Sequence, residues 1–522
     1  MQTFELLLSL TGFCLVLALI AERLSVPFAV ALVLGGMAVA FIPGLPPLEF
    51  EPELALALFL PPLLQLSAYR TDWPSFRSNL RPILLLAVGA VLFTAVVVAL
   101  IAKWLVPELP WGAAIALGAI VAPPDAVAAA AVLRTLSPPK RIVTVLEGES
   151  LLNDASSLVL YRFAVAATIA GSFDFTHGAV TFVVAALGGG VIGYAVGRAA
   201  MWIFARLNDT LHDITVGVLT GFAAYLAAES VHASGVLAVV SCGLILGRHQ
   251  HHAFTAQTRL ASAAVWNFIE FVLTSLVFML IGMQLRGIVD RLTHYDPWRL
   301  GVLGLAISAT LIVSRFVWIM PTAWLPRLLF PALRVRDPMP PPRELFILSW
   351  AGMRGVVSLA AALALPSHFP GRDIIVFLAF CAILATLVLQ GTTLGPLIRR
   401  LGVVEPESPG PTAEQAAVRL QVTTAALIAV EERLEDPEHG EAASELIDEY
   451  RERVEQAHAA EDGPSDKDHL GDQLRLRLAT IEASRAMLAD GSADNEEAAR
   501  QQILEELDLE EEHIRRALNE RS

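Results

Sequence analysis

The chain has 522 residues, 55% of them apolar and only 17% charged, with a mean hydropathy of +0.58. A soluble domain runs about 45–50% apolar and about 25% charged, so this composition excludes a disordered chain, a nucleic-acid binder and a disulfide scaffold. The formal charge of −15 is divided unevenly: residues 401–522 hold 31 acids and 12 bases, whereas residues 1–400 hold 21 acids and 25 bases. That split predicts a long apolar body, 1–400, and an acidic, water-loving tail, 401–522.

About 20 mostly apolar residues carry a helix across a bilayer core roughly 30 Å thick. Thirteen such stretches recur in the body, at 3–21, 26–42, 54–69, 83–105, 111–135, 142–169, 179–205, 211–229, 233–247, 263–285, 300–324, 343–365 and 373–398. Strand-like alternation is missing, so the expected fold is an all-α polytopic membrane protein rather than a barrel. The first stretch has no basic leader, carries Glu5 and shows no cleavage site before Glu22 and Arg23, so it reads as a crossing and not a signal peptide. Cys14, Cys242 and Cys381 all lie in apolar runs without metal-ligand spacing and read as small buried hydrophobes.

Loops after odd-numbered stretches hold 17 Lys and Arg, among them Arg70, Arg81, Arg141 and Arg327; loops after even-numbered ones hold five, including Lys103 and Arg372. The positive-inside rule then puts the N-terminus outside and the tail in the cytoplasm. Three bases fall inside the stretches instead: Arg162, Arg315 and Arg354.

Charge at membrane depth is costly and marks function. The fifth stretch, LGAIVAPPDAVAAAAVL, carries Pro123, Pro124 and Asp125; the sixth, VLEGESLLNDASSLVLYRF, carries Glu147, Glu149, Ser150, Asn153 and Asp154. On a helix Ser150 and Asp154 share one face, with Glu147 close to Asp154, while Glu149 and Asn153 pair on the adjoining face. Such an oxygen-rich wall suits a hard cation or a proton. Two prolines break the fifth helix, freeing carbonyls around 120–122, which is tolerable at depth only where the backbone lines a cavity or is buried in protein. Gly352 and Gly355 weaken the twelfth around Arg354. Division into repeats 1–6 and 8–13 maps the fifth stretch onto the twelfth, and interrupted segments at matching positions point to a transporter's central site. Arg315 is the first-choice partner for Glu149 and Arg354 the second, forming a buried ion pair.

At these residues the chain resembles the monovalent cation:proton antiporter family, which includes bacterial sodium/proton antiporters and animal sodium/proton exchangers. The resemblance rests on LEGESLLNDASSLV (146–159), SRFVW (314–318), AGMRGVVSLA (351–360) and LVLQGTTLGPLI (387–398), and extends over the body. It implies thirteen spans with inverted repeats, a homodimer, and electroneutral exchange of one cation for one proton in the bacterial inner membrane, with no cofactor. It further implies that Asp154 binds cation or proton, that Ser150 and Asp125 help ligate the cation, that Asn153 is the neutral partner, and that Glu149 with Arg315 is structural. Two positions depart from the pattern. The family often has Thr-Asp-Pro where this chain has Pro124-Asp125-Ala126, so a ligand from position 124 has to be its carbonyl. Gln65 stands in the third stretch where some members carry an acid.

The expected function is therefore exchange of sodium (or lithium) for protons, with a potassium/proton exchanger as the alternative. A passive channel and an intramembrane protease, the latter resting on His232-Ala233-Ser234-Gly235, are weaker readings. Arg248-His249-Gln250-His251-His252 reads as a solvated turn ahead of a metal site. In the tail, helical character runs over 413–434, 441–459, 468–489 and 494–519, with Leu474, Leu478 and Ile481 at helical spacing. No nucleotide or calcium-loop motif occurs there, and a role in modulating transport or dimerisation is expected.

Overall fold

The computed structural model describes residues 2–24, 26–42, 52–125, 129, 132–133, 136, 138–171, 175–207, 209–292, 295–329, 337, 339–403, 413–434, 440–461, 475–482, 507, 510–511 and 514–515. These residues are helical or in turns, without a strand among them. Two compact units emerge, 1–405 and 406–522.

In the first unit the helices follow the apolar stretches in order: Gln2–Leu24, Phe28–Ala40, Pro52–Arg70, a short Trp73–Ser78, Leu80–Leu105, Trp111–Val121, Lys140–Ala170, Phe175–Phe204, Thr210–Ser230, Gly235–Ala253, Ala256–Arg291, Pro297–Leu329, Pro342–Trp350, Val356–Leu363 and Arg372–Leu401. Pro110, Pro139 and Pro341 stand just before three of them, where a missing N–H costs nothing. Gly171, Gly371 and Gly402 end or begin helices in left-handed geometry. Among the described residues six helices are long and apolar enough to cross a bilayer: Leu80–Leu105, Val183–Phe204, Thr210–Ser230, Gln257–Arg291, Pro297–Leu329 and Arg372–Leu401. Phe28–Ala40, Trp111–Val121 and Gly235–Gln250 are apolar but shorter. Lys140–Ala170 has the length, at 31 residues, yet carries acids and bases along it. Many large side chains on these helices face outward, such as Leu187, Leu305 and Trp298, which suits a lipid-facing surface.

Ion pairs gather loops that the sequence spaces far apart. Asp337 accepts from Arg327 at 2.5 Å and Arg141 at 2.7 Å, with Arg81 at 3.6 Å. Arg343 donates to the Leu401 carbonyl at 3.2 Å. These contacts bring together the chain segments around the ends of the third, fifth, eleventh and thirteenth stretches.

Helix Phe28–Ala40 lies along Ala256–Arg291. Their closest approach is at Gly36 and Gly282: a Cβ on Gly36 would strike the Met279 carbonyl, and one on Gly282 the Val33 carbonyl. Such small-residue contacts let helix backbones pack where lipid removes the hydrophobic drive. In the second unit Ala413–Glu431 and Gly440–Glu461 pack together, and Ala443, Ile447 and Ala457 are buried. Residues 475–482 are helical, with Leu478 and Ile481 in that segment; most of the expected helices at 468–489 and 494–519, Leu474 included, lies outside the described residues.

Replacing Gly282 with valine is expected to cost about 1–3 kcal/mol by overpacking. The check is a lowered thermal midpoint of the purified protein in detergent; an unchanged midpoint would contradict the backbone contact.

Candidate functional site

Two helices stop inside the apolar body. Trp111–Val121 ends ahead of Pro123 and Pro124, which lack the N–H groups that would continue the helical hydrogen bonds, and although Ala122 still has helical dihedrals the chain is non-helical from there to Asp125. A second break, 351–355, separates Pro342–Trp350 from Val356–Leu363. The breaks touch each other. The Asp125 N–H donates to the Met353 carbonyl at 2.7 Å, and Gly355 comes so close that a Cβ there would overlap Asp125 Oδ2. Only glycine fits that approach.

The carbonyls freed by the first break find partners in side chains. Arg354, 2% exposed, donates from Nε to the Val121 carbonyl at 2.8 Å and from Nη1 to the Gly352 carbonyl, while its backbone N–H reaches Thr386 Oγ1 at 3.1 Å. Thr386 opens a π-helical turn, 386–390, in the Arg372–Leu401 helix, a distortion that is frequent at functional sites. Asn153 donates from Nδ2 to the Pro124 carbonyl at 2.7 Å. A carbonyl only accepts, so the amide nitrogen must face it; Asn153 Oδ1 is buried without a protein partner.

Helix Lys140–Ala170 divides its labour between two faces. On one, Glu149 receives both Arg315 Nη1 at 2.6 Å and Nη2 at 2.7 Å, and Asn153 sits one turn on. The pair is almost fully buried, at 1% and 3% exposure; Arg315 Nε adds the Leu348 carbonyl at 3.2 Å. This fork-to-fork geometry fastens the helix to Pro297–Leu329 and Pro342–Trp350. On the other face, Glu147, Ser150 and Asp154 line a cavity of about 120 Å³.

Asp125, Pro123 and Pro124 line the same cavity, together with Ser67, Arg70, Glu270, Thr274, Gly355 and Ser358 and apolar neighbours such as Phe278. The structure thus brings Asp125, Asp154, Ser150 and Pro124 to one chamber at the crossing, and sets Asn153, Glu149, Arg315 and Arg354 behind its wall. Arg70 is held by Glu270 at 2.7 Å and by Asn267 at 2.6 Å. With room for several water-sized groups and carboxylates on its wall, the chamber can hold a hydrated or partly dehydrated cation.

Sequence reasoning passed over Glu270, Thr274 and Ser358. Glu270 carried a signal, an acid in the apolar run WNFIEFVLT; the two hydroxyls carried none, since Ser and Thr are common in helices that merely pack. Gln65 lies away from this chamber and donates to the Gly217 carbonyl at 2.7 Å. Arg162 pairs with Glu229 at 2.9 Å in a partly exposed position. Ser234 caps the Gly235–Ala253 helix, accepting from the Leu237 N–H at 3.3 Å. His249 Nδ1 lies 2.9 Å from the Ile245 carbonyl, and among the described residues no His, Cys, Asp and Glu group has metal-binding geometry.

Comparison with known proteins gives a consistent picture. The family model described as "Sodium/hydrogen exchanger, transmembrane" matches residues 9–400. An uncharacterized Na(+)/H(+) exchanger of Mycobacterium bovis is 33% identical over 495 residues, covering 92% of this chain and 90% of that protein. A sodium, potassium, lithium and rubidium/H(+) antiporter of Bacillus pumilus is 35% identical over 382 residues, covering 70% of this chain and 56% of that protein. Among solved structures, the sodium proton antiporter MjNhaP1 of Methanocaldococcus jannaschii superposes with a TM-score of 0.61 at 19% identity, over 78% of this chain and 99% of that one, which shows a shared fold.

Removing one partner of the buried pair, as in Glu149→Ala, strands Arg315 and is expected to cost about 3–5 kcal/mol, whereas Glu149→Leu with Arg315→Met together recovers much of that loss. Yield and thermal midpoint of the purified variants check this; equal damage from the single and double changes would contradict it.

Proposed function

Because the chain belongs to the transmembrane sodium/hydrogen exchanger family, a family of membrane antiporters and not of enzymes, we propose that it exchanges sodium for protons one for one, with Asp154 as the group the two ions occupy in turn. The observation that carries this reading is that the Asp125 and Asp154 carboxylates line one chamber at the crossing of two broken helices. In this reading Asp125, Ser150 and the second lone pair of the Pro124 carbonyl help ligate the cation, and Asn153 is the neutral group that fixes that carbonyl. Glu149 with Arg315 is a structural pair and Arg354 holds the breaks together.

Charge balance supports one-for-one exchange. Glu149 and Arg315 cancel each other, and Arg70 and Glu270 do so nearer the cavity mouth. Arg354 offsets one of the two aspartates, and a monovalent ion and a proton each add one positive charge at the other, so the chamber, with Glu147 also on its wall, has the same charge whichever of the two it carries. An ionised carboxylate left alone in a low-dielectric chamber is costly. The carrier therefore changes sides when loaded, and the two gradients are coupled without ATP.

The proposal extends to thirteen crossings in inverted repeats, a homodimer in the bacterial inner membrane with the N-terminus outside, an antiporter domain at 1–400 and a cytoplasmic regulatory tail at 401–522. Potassium/proton exchange is the second reading, favoured by the named substrates of the Bacillus pumilus relative; comparing sodium, lithium and potassium as the driving ion separates the two.

In proteoliposomes, Asp154→Asn is expected to abolish sodium-driven dissipation of a proton gradient, and wild-type-like transport by that variant would end the reading. Protons compete for the same carboxylate, so lowering the pH through its titration should raise the apparent sodium KM by up to about tenfold per unit. A KM independent of pH would contradict the shared site. A chain ending at Val403 should still exchange ions but with a displaced pH response; an identical profile would remove the tail from regulation.

A further inference from the structure

We infer that Ser358 and Thr274 are cation ligands, supplying neutral oxygens to the Asp125 and Asp154 chamber from two different helices; the inference rests on the exchange reading above and adds residues to it. Buried hydroxyls elsewhere in the body are spoken for. Ser308, Ser349 and Thr386 each donate to the carbonyl four residues earlier, and Ser156 reaches the Ala87 carbonyl at 2.5 Å. Among the described residues two buried hydroxyls have no protein partner, those of Thr274 and Ser358. Both line the chamber that holds the aspartates.

Each position has a local reason. Ser358 is the third residue of Val356–Leu363, so the carbonyl four residues back belongs to Arg354, inside the break, where no helical turn presents it to the serine. Its helix begins after Gly355, whose Cα lies against Asp125. Thr274 sits on Ala256–Arg291, one turn beyond Glu270, and both side chains face the cavity. The neighbouring Ser275 donates to the Phe271 carbonyl at 2.6 Å, so this stretch of helix accepts back-bonding hydroxyls while Thr274 makes no such bond. Leaving a hydroxyl buried and unpaired is as unfavourable as losing a hydrogen bond. At 7% and 2% exposure, what these two can meet is whatever enters the chamber.

The chemistry fits a small alkali cation. Hard cations prefer several oxygen ligands, and a dehydrating sodium ion needs more than two carboxylates and Ser150. Hydroxyl oxygens coordinate through lone pairs without adding negative charge. The competition between proton and cation thus stays with the aspartates, and the hydroxyls affect the cation alone.

The test is cation-driven exchange by full-length Ser358→Ala and Thr274→Val in proteoliposomes, measured over sodium, lithium and potassium concentrations. Each variant should raise the sodium KM roughly three- to tenfold, by more than turnover falls, with unequal changes for the three ions, and Ser358→Thr should restore the KM. Unchanged KM values in both variants, or a uniform loss of turnover for every cation, would overturn the inference. The isosteric Thr274→Val decides the matter if Ser358→Ala does not fold. Asp154→Asn run alongside separates the two levels: its inactivity with unaltered KM values in the hydroxyl variants defeats this inference alone, whereas its activity defeats the exchange reading itself.

Discussion

A backbone that stops being helical inside an apolar body must find hydrogen-bond partners in protein, because lipid offers none. Here the solution is the crossing of two broken segments, with Arg354 on the Val121 carbonyl, Asn153 on the Pro124 carbonyl, and the Asp125 N–H on the Met353 carbonyl. Each bond fixes a piece of chain that regular helix would otherwise have fixed. The consequence is that Asp125 is held by its own backbone and by the close face of Gly355. Polar groups become tolerable at this depth because the geometry is over-determined, and the same geometry leaves one wall of the crossing free to be a chamber.

The long Lys140–Ala170 helix connects that constraint to the chemistry. Its two polar faces differ by a single step in sequence but differ entirely in task. The Glu149 and Asn153 face is consumed by the fold, through a bidentate arginine and a proline carbonyl. The Glu147, Ser150 and Asp154 face is turned to the cavity. A rotation of this helix would trade one set for the other, and the buried Arg315 is what opposes it.

Much of this was legible in residues alone. Pro123-Pro124-Asp125 announces an interrupted helix because proline removes donors wherever it stands, and the i, i+4 spacing of Ser150 and Asp154 places them on one face in any helix. Glu149 with Arg315 was readable from need, since a buried acid requires a base and few were available. What Arg354 does was not: the need for a buried base makes it a second partner for Glu149, whereas its Nε serves the Val121 carbonyl, released by a break more than 200 residues earlier in the chain. Glu270 was visible but overlooked beside the richer cluster in the sixth stretch. Ser358 and Thr274 lay beyond sequence reasoning, because a hydroxyl's meaning depends on whether a carbonyl is within reach, and that is decided by tertiary structure.

The claim that cation and proton exclude each other at one buried carboxylate is tested most directly by counting protons released when sodium binds. Calorimetric titration of sodium into the purified protein, repeated in buffers of different ionisation enthalpy, measures that number. The account predicts a release approaching one proton per sodium at pH values where the carboxyl is protonated, and none from Asp154→Asn. Sodium binding to the unaltered protein with no proton released at any pH would contradict it.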